Sequence, residues 1–199
     1  MNLVRRIAAP ATILVALTGS ALAHTGHGDT SGFAHGFNHP IGGLDHVLAM
    51  VAVGLYAAML GGRALWLVPG TFVTVMALGG ALGMAGYALP YTEIGIALSV
   101  IVLGLAVAFR IGVPTLAAMA LVGLFAIFHG HAHGAEMPLD LSGYEYAAGF
   151  LLTTALLHGA GIALGVAAGK LAERGGWRAA QAAGGAMALA GLALLVSAV

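Results

Sequence analysis

The sequence predicts an all-α integral membrane protein, a bundle of six transmembrane helices that follows a cleaved signal peptide. Three observations carry this prediction. Of the 199 residues, 60% are apolar and only 7% are charged, about a quarter of the charge of a soluble domain. Glycine supplies 32 residues and the mean hydropathy is +1.00, a pairing that suits helices packed closely in lipid. The apolar runs are long, broken only at charges and prolines, and they lack the period-two alternation of barrel strands.

The same composition excludes several kinds of protein. Seven basic residues balance seven acidic ones, so no electrostatic footprint for nucleic acid exists. Cysteine is absent, which removes disulfides, thiolate nucleophiles and thiolate metal sites. Gly165-x-x-x-Gly169-Lys170-Leu171 looks like a phosphate loop, but its first glycine is one residue too close and Leu171 replaces the required Ser or Thr. No nucleotide partner and no prosthetic group are therefore expected. What remains is histidine: nine of them, more than lysine and arginine together.

The elements follow in order along the chain. Residues 1–23 read as a signal peptide, with Arg5 and Arg6 ahead of an apolar stretch and small residues at Ala21 and Ala23. That stretch is too short to span a bilayer comfortably. Residues 24–40 form a His- and Gly-rich exterior tail, in which His24, His27 and His35 are a candidate capture site for metal. The transmembrane domain is 41–199, with spans expected near 41–61, 64–86, 93–110, 113–133, 144–169 and 179–198.

Charge sets the orientation. Arg63, Arg110, Lys170, Arg174 and Arg178 fall in alternate loops, while the other loops and the tail carry Asp29, Glu93, Glu136, Asp140 and Glu145 without a basic residue. The positive-inside rule then places the basic loops in the cytoplasm of a bacterial inner membrane and both mature termini in the periplasm. Gly79-x-x-x-Gly83, Gly161-x-x-x-Gly165 and Gly165-x-x-x-Gly169 allow close helix contact, within one chain or in a homo-oligomer.

Ionisable side chains in spans are costly and usually line a pathway. The first group is His39, Asp45 and His46, with Pro40 suited to a helix start and Asp45–His46 about one turn inside. An imidazole beside a carboxylate can bind a divalent cation, or the carboxylate can orient the ring. The second group is His129, His131, His133 and Glu136. On a continuous helix His129, His133 and Glu136 share one face and His131 points elsewhere; if the glycines break the helix, all three rings converge instead. His158 lies in span 5, about 20 Å below Tyr144, where the other deep polar groups are hydroxyls such as Ser99, Thr153 and Thr154. Glu93 opens a span, where a carboxylate is favoured in any case, and Met50 is a soft donor one turn below His46.

Imidazole and carboxylate donors without thiolate suit nickel, cobalt, copper(II) or zinc, and affinity order alone does not choose among them. The segment His39-x5-Asp45-His46, continuing to Gly54, resembles the signature of the HupE/UreJ family. The run Phe128-His129-Gly130-His131-Ala132-His133-Gly134-Ala135-Glu136 is similar to that family's second motif. The resemblance covers the whole chain. It implies a nickel permease, with cobalt carried by some members, supplying hydrogenase or urease. It also implies that His39, Asp45, His46, His129 and Glu136 hold the functionally important positions.

Two other classes stand beside an importer of Ni(2+) or Co(2+) that has a divalent metal ion and membrane lipid as its partners. A membrane-bound sensor or chaperone would bind metal without moving it, but it does not account for a deep His158 in a chain without a sizeable soluble domain. An intramembrane zinc hydrolase would need a general base beside an open site, and Glu136 follows the histidines rather than standing between them.

Overall fold

The apolar runs beyond residue 31 fold as helices in the computed structural model, which describes residues 32–138, 142–171 and 175–199. The expected signal peptide, His24, His27, Asp29, Asp140 and Arg174 lie outside the described residues. The elements are α1 (Gly32–Gly42), α2 (Leu44–Leu60), α3 (Ala64–Met84), α4 (Thr92–Ala108), α5 (Thr115–Ala135), α6 (Gly143–Lys170) and α7 (Gly176–Ser197). Among the described residues there is no strand. Four helices, α3, α5, α6 and α7, are long and apolar enough to cross a membrane, and α1 with α2 makes a fifth if that bent pair is one span. The apolar α4 is shorter, at 17 residues.

Residues 32–40, expected as part of an exterior tail, form most of α1. Pro40 does not start the first span; it sits inside α1. The chain turns by 82° between α1 and α2, at Gly43, which takes an extended conformation and caps α2. An extended residue cannot continue the i to i−4 ladder, so His39 and His46 end on different helices. The segment that mimics a phosphate loop is helical through Lys170.

Glycine decides which helices pair. On α5, a Cβ at Gly130 would collide with the Met76 carbonyl oxygen of α3, and one at Gly134 with that of Gly80. Only a residue without a side chain lets the backbones come so close. Gly54 of α2 and Gly161 of α6 meet in the same way, as do Gly104 of α4 and Gly184 of α7, and Gly149 of α6 sits against the Phe33 carbonyl of α1. These seams coincide with the most extensive helix contacts. They define three units: α1 with α2 and α6, α3 with α5, and α4 with α7. All three expected Gly-x-x-x-Gly pairs have intramolecular neighbours: Gly79 and Gly83 face α5, Gly161 and Gly165 face α2, and Gly169 lies near the Trp177 ring.

Candidate metal centre

Among the described residues the buried polar side chains are four histidines, His46, His129, His133 and His158, and three hydroxyls, Ser99, Thr153 and Thr154. The helix α5 runs unbroken to Ala135, with Glu136 as its C-cap. His129, His133 and Glu136 therefore share a face, as the spacing of one turn and then nearly another requires. The opposite wall is α6, which turns Tyr146, Phe150, Thr154 and His158 to the same side at steps of four. At 1.5 Å per residue this row runs about 18 Å along the helix. His39 approaches from α1 and His46 from the first turn of α2.

Two groups of donors result, and they share His133. In the outer group His39 Nε2 lies 3.0 Å from Glu136 Oε2 and 3.1 Å from His133 Nδ1, and His133 Nδ1 is 3.3 Å from the same carboxylate oxygen. Donors about 2.0–2.1 Å from a tetrahedral ion stand about 3.3 Å apart, so this triangle is already the size of a first coordination shell. Hydrogen bonds from His133 and His39, in that order of effect, hold the Glu136 carboxyl at about 2 against the opposing pull of partial burial. The carboxylate is thus anionic at any ordinary pH.

The inner group is His46, His129 and His133, all buried, with donor atoms within 4.8 Å of one another. These rings must close by roughly an ångström to grip one ion at the lengths above. Their spare nitrogens are the notable feature. His46 Nε2 is engaged by Thr154 Oγ1 at 3.1 Å and His129 Nε2 by Ser99 Oγ at 2.8 Å. His46 Nδ1, His129 Nδ1 and His133 Nε2 are buried without a hydrogen-bond partner. Buried polar atoms are nearly always satisfied, and here each of the three rings keeps one nitrogen with no hydrogen bond to break before it binds a cation.

The rings form a file. Centroid separations are 6.0 Å from His35 to His39, 5.0 Å to His133, 4.9 Å to His46 and 5.4 Å to His129. Phe72 then stands between His129, at 5.7 Å, and His158, at 5.3 Å. Both nitrogens of His158 are buried without a hydrogen-bond partner, so the ring is not held by a backbone carbonyl. Phe150 packs on His46 and His133, and Tyr146 on His35 and His39. A cavity of about 50 Å³ adjoins His133, walled by Met76, Tyr146 and Phe150.

Not every sequence candidate joins this file. Asp45 neighbours His46 in the chain, but consecutive helical side chains diverge by about 100°. It lines a different cavity, of about 170 Å³, with Glu93 and Ser197. His131 points away, as a continuous helix demands, and donates from Nε2 to the Tyr87 carbonyl oxygen at 2.6 Å. Met50 is fully buried in the apolar core. His35, expected in a capture tail, heads the file on α1 instead. Sequence reasoning noted Ser99 and Thr154 only as deep hydroxyls, and it missed Phe72 and Tyr146, which nothing local distinguishes from core aromatics.

Comparison with known proteins gives a consistent identity. The model of the HupE / UreJ protein family matches residues 12–194. Protein HupE of Rhizobium leguminosarum bv. viciae is 52% identical over 183 residues, which are 92% of this chain and 93% of that protein. No solved structure matches the chain. With several apolar helices, a histidine-lined interior and this similarity over nearly its whole length, the chain belongs to the HupE/UreJ family of multi-pass membrane proteins, metal transporters associated with nickel and cobalt supply to hydrogenase and urease rather than enzymes.

Proposed function

We propose that this protein is an inner-membrane permease that brings nickel, and secondarily cobalt, from the periplasm into the cytoplasm along the file of histidines. The observation that carries the reading is the sharing of His133 by two donor groups. His133 turns Nδ1 to the outer group, and its Nε2 is buried without a hydrogen-bond partner, so the two groups meet across a single ring and an ion has only the width of one imidazole to cross between them. The outer triangle adds a carboxylate, Glu136, so it meets the hydrated cation with charge as well as nitrogen. The inner group is all imidazole, which discriminates against hard cations such as magnesium and calcium that demand oxygen. His158 then receives the ion beyond Phe72.

The reading includes six spans behind a cleaved signal peptide, with α4 and the α1–α2 pair completing the count and both mature termini outside. Under the membrane potential a divalent ion gains about 4.6 kcal/mol per 100 mV. That is sufficient for inward uniport without coupled protons. His24 and His27 serve as a capture site for the metal.

Uptake in a cell lacking its own nickel transporters tests the substrate, with nickel, cobalt, copper and zinc in competition. Nickel uptake inhibited most strongly by cobalt is the expected result, and zinc uptake exceeding nickel uptake would refute the assignment. Orientation has its own test, because the chain has no cysteine. Arg63→Cys and Arg178→Cys should resist an impermeant thiol reagent applied from outside and react once the membrane is opened. Labelling of either from outside would reverse the topology.

A further inference from the structure

We infer that Ser99 is a positioning residue, which fixes the proton of the His129 ring on Nε2 and leaves Nδ1 bare for the metal. The inference rests on the proposed binding of metal at the inner group, but the observation that carries it concerns only the ring and its neighbours. Ser99 lies on α4 and is fully buried. Its Oγ is 2.6 Å from the Ile96 carbonyl oxygen and 2.8 Å from His129 Nε2. A serine hydroxyl has one proton to give. A carbonyl oxygen can only accept, so that proton goes to Ile96. The contact with His129 must then run the other way, with Nε2–H donating to the serine oxygen.

A neutral imidazole protonated on Nε2 carries its free lone pair on Nδ1. His129 Nδ1 is the atom found buried with no hydrogen-bond partner, and no donor among the described residues competes for it. Metal-ligating histidines generally give their second N–H to a fixed acceptor, which sets the ring's orientation and its ligating nitrogen. Here the acceptor is a hydroxyl whose own proton is committed elsewhere, which makes it one-directional. Thr154 occupies the corresponding place at His46, 3.1 Å from Nε2. Its hydroxyl has no second acceptor among the described residues, so of these two hydroxyls only that of Ser99 dictates where its partner ring carries the proton. Ser99 also belongs to the α4–α7 unit, and through it that unit reaches a site otherwise built by the other two.

The test is made first on the metal-free, full-length protein in detergent, labelled with 15N-histidine. The nitrogen shifts of His129, assigned by their loss in His129→Asn, should be those of a neutral ring protonated on Nε2. A ring protonated on Nδ1 would overturn the inference. Ser99→Ala removes the acceptor and should give a mixed proton distribution at His129, with Ni2+ affinity lowered about 10–100-fold, the usual cost of losing such a partner. Wild-type Ni2+ affinity together with an unchanged His129 spectrum in Ser99→Ala would overturn it equally. Should Ser99→Ala fail to fold, the wild-type spectrum decides alone. If the wild-type ring is protonated on Nε2 but the protein binds no Ni2+, the transport reading fails and the placement of the proton is upheld.

Discussion

Replacing His133 by alanine is expected to abolish metal uptake while the protein still reaches the membrane in normal amount. The residue belongs to both donor groups, with Nδ1 3.1 Å from His39 Nε2 and 3.3 Å from Glu136 Oε2, and Nε2 buried and free. One substitution therefore leaves two donors in each group and removes the link between them. Loss of a mere supporting partner already costs about 10–100-fold in affinity, so loss of a direct ligand from both groups should cost at least about two orders of magnitude in uptake. His39→Ala makes the comparison informative, since it touches only the outer group. It should weaken capture when nickel is scarce and leave the inner group able to bind. Uptake by both variants under scarce and abundant nickel, with bound metal per purified protein, measures the difference. If His133→Ala behaved no worse than His39→Ala, the groups would not be linked through this ring.

His158→Gln should slow transport severely while leaving nickel bound at the outer and inner groups. His158 sits one turn beyond Thr154 on α6, across Phe72 from His129, with neither nitrogen hydrogen-bonded. Glutamine keeps a polar group of similar reach but is a poor ligand for a late transition metal compared with imidazole. If the ring passes the ion inward, rate and binding separate: uptake falls and stoichiometry holds. Near-normal uptake by the glutamine variant would remove His158 from the path.

Much of this arrangement was legible in the sequence because it is local. The face shared by His129, His133 and Glu136 follows from helix geometry alone once the helix is continuous, and so does the exclusion of His131. The depth of His158 follows from counting residues. What the sequence concealed is tertiary. His39 and His46 are seven residues apart, yet an 82° turn at Gly43 puts them on separate helices. Residues 32–40 are glycine-rich and read as a tail, because α1 is held by its fit to α6 at Gly36 and Gly149 rather than by its own propensity. Asp45 shows the converse, since adjacency in the chain suggested a place beside His46 and helical geometry turns it to a cavity that Glu93 also lines. The sharing of His133 needs α1, α2 and α5 in place together, and no spacing rule contains it.

The glycine seams also determine how stiffness is distributed through the molecule. Where Gly130 and Gly134 lie on α3, or Gly161 on α2, the contact is backbone against backbone, with no rotamers to rearrange and little slack in close-packed matter. Each seamed unit should therefore move as one body. Between units the contacts include rings and hydroxyls, such as His46 with His129, Ser99 with His129 and Phe72 with His158, groups that turn about single bonds. Compliance is concentrated along the file of rings. The inner donors can then close on a cation by ring rotation and small unit shifts while the helix pairs themselves stay undeformed.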